Sequence, residues 1–163
     1  MTTDVLVSID AATIYNTFKS AQTTTGKPQP VGAAHVSVMT SNGQKSSQNV
    51  TDIEVEEGDQ IAWWVQCTGL YTCVIYNIVD AKTGQAIGSQ GIISKPQLKQ
   101  LKGQLLTNDD NPNSPTFQSA WLYFWGADAQ STGTLTYGVQ FAIYDHNATV
   151  LGYYQFVGAG SVS

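Results

Sequence analysis

The side chains with the most evident capacity for chemistry in this chain are aromatic and amide-bearing. Trp63 and Trp64 are adjacent, while Trp121, Tyr123 and Trp125 alternate with Leu122 and Phe124. Neighbours in an extended strand point to opposite faces, so Trp63 and Trp64 cannot both enter one core, and Trp121, Tyr123 and Trp125 share a face. The alternation of Ile61, Trp63 and Val65 makes Trp64 the outward member of its pair. An outward aromatic stacks on a sugar ring or anchors a partner's surface; the competing reading is a covered sheet or an oligomer interface. His146, between Asp145 and Asn147 in a turn-forming stretch, joins Trp64, Trp121, Tyr123 and Trp125 as a candidate ligand-binding residue.

A second cluster is the run Asn108-Asp109-Asp110-Asn111-Pro112-Asn113. Its carboxylate and amide oxygens are the hard ligands that calcium takes, although the spacing is not that of an EF-hand. Asp109 and Asp110 are the candidate ligands, supported by Asn108, Asn111 and Asn113; the same residues also compose an ordinary turn. Calcium there would assist a lectin in gripping sugar hydroxyls, and no other cofactor is indicated. Catalysis has little to build on. His35 and His146 are the only histidines, no Gly-x-Ser-x-Gly elbow occurs, and nothing pairs any two of the scattered carboxylates, so no catalytic residue is assigned. Cys67 and Cys73, separated by Thr-Gly-Leu-Tyr-Thr, are either a cross-strand disulfide pair or two reduced thiols, and too few ligands surround them for zinc.

Composition narrows the partners. Seven lysines against twelve acidic residues give a net charge of −5, and arginine is absent. Without the guanidinium fork that reads guanine and clamps phosphate, nucleic acid is excluded as an expected partner and neutral ligands fit better than anionic ones. The N-terminal residues lack the pattern of a secretory signal, and no run is long enough to span a membrane, which points to the cytoplasm. Low charge content with many amide and hydroxyl side chains makes packing between copies electrostatically inexpensive, so a homo-oligomer is expected, a dimer by default.

The elements that must position these residues are strands. Val5, Val7 and Ile9 alternate, Ala12 to Phe18 suits a short helix, and strands follow at 35–39, 52–56, 60–67 and 73–79, with Gly58-Asp59 turning the chain. A weaker strand is expected over 85–93. From 94 to 107 the spacing of Leu98, Leu101 and Leu105 reads as a short helix. An aromatic strand covers 116–125. Leu135, Tyr137, Val139, Phe141 and Ile143 then alternate without a break, and 149–157 returns as the second arm of a hairpin. Residues 1–163 therefore read as one all-β domain, an antiparallel β-sandwich of Greek-key or jelly-roll type with one or two short helices.

Three stretches in this order resemble the AidA/PixA inclusion-body protein family: Asp4-Val5-Leu6-Val7-Ser8-Ile9-Asp10, Val55-Glu56-Glu57-Gly58-Asp59-Gln60-Ile61-Ala62-Trp63, and Tyr137-Gly138-Val139-Gln140-Phe141-Ala142-Ile143-Tyr144 with Gly152-Tyr153-Tyr154-Gln155-Phe156. The family's Phe-x-Trp-Asp-Pro ending is replaced here by Gln155-Phe156-Val157-Gly158-Ala159-Gly160. The resemblance implies a bacterial, non-enzymatic protein that accumulates in the cytoplasm, in some members as inclusion bodies, with expression tied to quorum sensing or to life with a host. Self-association with a role in host interaction is the leading reading. A carbohydrate-binding lectin using exposed aromatics, with calcium assisting, is the alternative.

Overall fold

The computed structural model describes residues 1–41, 52–88, 90–108 and 113–163. Its elements are β1 (Thr2–Ile9), α1 (Ala11–Phe18), β2 (Gln29–Pro30), β3 (Val36–Thr40), β4 (Ile53–Val55), β5 (Gln60–Cys67), β6 (Thr72–Asp80), β7 (Gln97–Asn108), β8 (Thr116–Asp128), β9 (Gly133–Tyr144) and β10 (Val150–Val162), with a 3-10 turn at Ala33–His35. The first sheet runs β3-β1-β5-β8-β7. The second runs β2-β10-β9-β6, with β4 beside β10.

The all-β expectation holds, and the sheets are mixed. β1 lies parallel to β5, and β10 lies parallel to both β2 and β4, while the remaining ladders are antiparallel. One cluster of buried side chains draws on both sheets, as in a sandwich: Val5, Val7, Ile9 and Trp63 from the first, Tyr137, Val139, Phe141 and Phe156 from the second. Trp63 and Tyr137 join the layers at a centroid distance of 6.4 Å, and within the second sheet Tyr137 meets Phe156 edge-on at 6.3 Å. The period-two pattern of 135–143 therefore maps onto a buried face.

Local chemistry explains the boundaries. Asp10 caps α1 by accepting a hydrogen bond from the Thr13 N–H at 3.1 Å, and Thr13, through its side chain first and its N–H second, holds the Asp10 carboxyl below the ordinary carboxylate range. Gly58, at φ 90°, takes the left-handed conformation that turns β4 into β5. On the second sheet Asn77, Gln140 and Gln155 form an amide ladder across three strands, with bonds of 3.1 and 2.8 Å. These groups satisfy one another without charge.

Two expected elements differ. Residues 94–107 are not helical, because β7 occupies Gln97–Asn108 and pairs with β8 along its length. Leu98, Leu101 and Leu105 mimic helical spacing because leucines occupy both faces of this edge strand. In place of the expected strand over 85–93, the described residues 85–88 and 90–93 are looped, held by isolated bridges from Val79 to Ala86 and from Ile93 to Ala129. Asp80 ties that segment down, since its carboxylate accepts from the Lys82 and Thr83 N–H groups at 2.8 and 3.0 Å and from Gln90 at 3.3 Å.

The β9–β10 turn is built the same way. Asp145 accepts hydrogen bonds from the N–H groups of Asn147 and Thr149, both at 2.8 Å, and these bonds, that of Thr149 first, lower its pKa. Ala148 closes the turn at φ 59°, a conformation that costs a residue with a Cβ. Replacing Ala148 with Gly should raise stability by roughly 0.5–1 kcal/mol, read as a higher thermal midpoint. Because folding depresses the pKa values of Asp145 and Asp80, their contribution is present at neutral pH and lost as the pH falls below the ordinary value of 3.8. In urea titrations from pH 7 to pH 2, Asp145→Asn should be the less stable protein at pH 7, and the gap should close in acid.

Candidate functional site

The candidate site grows from a mismatch between the two layers. Pairing in the β7–β8 hairpin sets Leu98 opposite Trp125, Gln100 opposite Tyr123, Lys102 opposite Trp121, Gln104 opposite Ser119 and Leu106 opposite Phe117, and opposed residues share a face. That face is the inner one, because Trp125 is partly buried against the core and donates its indole N–H to the Ile75 carbonyl of the second sheet at 2.9 Å. Beyond Trp125 the cover ends. Trp121, Tyr123 and Phe117 are 55%, 58% and 59% exposed, and Leu98 and Leu106 are exposed beside them.

Where this face meets the second sheet it forms an open, mainly apolar groove of about 540 Å³. Trp63 and Val65 lie at its base, Cys73 and Ile75 of β6 form one wall, and Trp121 and Tyr123 form the other. Among the described residues, the Trp63 indole N–H is the buried side-chain polar group without a hydrogen-bond partner. Both cysteines are free thiols. Cys67 donates to the Tyr71 carbonyl at 3.0 Å, and burial, with Cys67 as neighbour, pushes the Cys73 thiol far above its ordinary range.

The predicted site residues therefore separate. Trp121 and Tyr123 stand together on the uncovered face. Trp125 shares it but is committed to joining the sheets. Trp64 does point away from the core, yet it is covered by its own sheet: it stacks on Phe124 at 4.7 Å and donates to Asp4 Oδ1 at 2.8 Å. His146 is exposed in the β9–β10 turn and is not among the groove residues. His35 ends the 3-10 turn, where its carbonyl accepts from the Asp10 N–H at 2.9 Å. Of the candidate calcium ligands, Asn108 is the last residue of β7 and Asn113 lies before β8, while Asp109, Asp110 and Asn111 lie outside the described residues. Among the described residues, no group of three His, Cys, Asp or Glu side chains is placed to hold a metal, and no helix is long and apolar enough to cross a membrane. Sequence reasoning missed the leucines of β7, whose edge position leaves no clean alternation to read.

Comparison with known proteins matches residues 1–158 to the family model described as PixA, inclusion body protein. The chain belongs to the PixA inclusion body protein family. The fold agrees: the crystal structure of a PixA inclusion body protein from Burkholderia cenocepacia J2315 superposes with a TM-score of 0.75, covering 100% of this chain and 96% of that one at 14% identity. The solution structure of amebosin aligns over 83% of this chain and 98% of its own at 10% identity, but its TM-score of 0.26 is too low to bear on the fold. No curated protein sequence matches. Family membership points to a structural rather than a catalytic role, which turns attention from reactive groups to surfaces. The replaced C-terminal ending of this PixA-family chain lies in β10, which runs on to Val162 beside β4.

Trp125→Phe removes the indole donor to Ile75 and should lower unfolding free energy by about 1 kcal/mol, measured by urea denaturation. Trp121→Phe, at an exposed position, should leave it within about 0.5 kcal/mol of the parent.

Proposed function

We propose that this PixA-family protein works by self-association, accumulating in the cell without turnover, and that the uncovered inner face of the β7–β8 hairpin is its contact surface. The observation that carries the reading is the row Phe117, Trp121 and Tyr123, each more than half exposed beyond the last residue covered by the second sheet. Three such rings present on the order of 350 Å² per copy, and Leu98 and Leu106 extend the patch toward the roughly 800 Å² per partner of a standard interface. The surface also carries little charge to desolvate, since Lys102 is the only ionic residue of the paired positions on that face. The resemblance to AidA/PixA proteins supports a setting of quorum-dependent accumulation and host interaction.

A second reading has its own observation. Gln100 lies opposite Tyr123, and Gln104 donates to Ser119 at 3.0 Å, so neutral amides flank the exposed rings in the manner of a site for a neutral glycan. A glycan array run with calcium and with chelator tests it. Retention lost in Trp121→Ala would favour this lectin reading, and dependence on calcium would bring in the 108–113 loop.

For self-association, sedimentation velocity over a concentration series should show assembly by the parent protein. The double variant Trp121→Ala/Tyr123→Ala should stay folded and shift toward smaller species, each truncation costing about 2 kcal/mol of contact energy. A parent protein that remains monomeric throughout the series sinks the proposal.

A further inference from the structure

We infer that the outer edge of β7 is a second self-contact, pairing antiparallel with the β7 edge of another copy about a two-fold axis through Gly103. The inference rests on the self-association reading and adds a contact with a different direction. Among the described residues β7 ends the first sheet and pairs only with β8, so no described strand takes up the backbone groups on its other side, from Gln97 to Asn108. No proline interrupts it, and the two lysines at 99 and 102 are its only charged residues. Such an edge is a template for another strand unless charge opposes the pairing.

The register follows from the sequence of the strand itself. A two-fold axis perpendicular to the sheet keeps each face on its own side, so it must pass through a residue rather than between two. The axes that give the longest overlap of 97–108 with its own reverse pass through Lys102 or Gly103. The first sets Lys102 against Lys102, which like charge disfavours. The second opposes Lys102 with Gln104, Lys99 with Thr107, Gln100 with Leu106 and Leu101 with Leu105, leaving no like-charged pair.

The outer face supports the same axis. Leu101 and Leu105 are 39% and 49% exposed on either side of Gly103. Leu122 lies over the glycine, since a Cβ there would sit 2.5 Å from Leu122 Cδ1. Pairing about Gly103 gathers Leu101, Leu105 and Leu122 from each copy into one apolar cluster, which a strand of unrelated sequence would not complete. This self-complementarity is what selects a second copy as the occupant. An edge contact and a face contact on one subunit propagate assembly unless their axes meet in a closed tetramer.

A charge exchange tests the register. Leu101→Glu and Leu105→Lys should each weaken the edge contact about tenfold or more, capping the assemblies seen in sedimentation at a smaller size, with the circular dichroism of the folded parent. The double variant Leu101→Glu/Leu105→Lys should recover the parent's assembly, because position 101 of one copy faces 105 of the other, and the recovery should fade with added salt. Within one strand these positions are too far apart to pair. Single variants that assemble like the parent, or a double variant no better than either single, overturn the edge contact while leaving the aromatic face to be judged by Trp121→Ala/Tyr123→Ala. A monomeric parent overturns both.

Discussion

An apolar side chain on the inner face of one sheet needs a counterpart on the other, and in this fold the supply of counterparts stops at β6. Trp125 is the last residue of its row to be satisfied, with its ring against the core and its N–H on the Ile75 carbonyl. On one side of that contact the layers enclose Trp63, Tyr137 and Phe156 with no exposure above 1%. On the other, the hairpin carries the same residue types into solvent. The density of the core and the openness of the candidate surface are thus one geometric fact: β8 is longer than the layer that covers it.

The second sheet resolves its polar groups differently. Its central strands β9 and β10 bury an alternating row, while Asn77, Gln140 and Gln155 hold one another across the strands. Turns are closed by carboxylates that accept backbone N–H groups, as at Asp10, Asp80 and Asp145. Acidic residues that could have suggested paired catalytic carboxylates are therefore spent on chain geometry. Trp64 is similar, since an outward aromatic found its cover in Phe124 rather than in a ligand.

Much of this was legible from residue order because the signals were local. Leu135 to Ile143 alternate over a buried face, Gly58 permits its turn, and Asp10 precedes a helix it caps. The shared face of Trp121, Tyr123 and Trp125 was equally readable, since it depends only on strand period. Which of the three is covered was not, because that depends on where a strand in the other sheet ends. β7 was misread for a related reason: with leucines on both faces and one edge unpaired, no buried face imposes period two, and three leucines fell by chance at helical intervals. The parallel pairing of β1 with β5 carries no local mark at all.

That parallel ladder has a consequence for how the chain comes to be folded. Thr2 is matched with Gln60 and Ile9 with Cys67, so β1 lies at the interior of its sheet yet must wait for residues made much later. During synthesis β3 offers the first edge to β1, and the other edge stays open until β5 emerges. Ladders between sequence-distant strands close slowly and leave sticky intermediates behind. The sequence distance between β1 and β5 therefore makes the closing of this sheet a step that depends on the chain being present as far as Cys67.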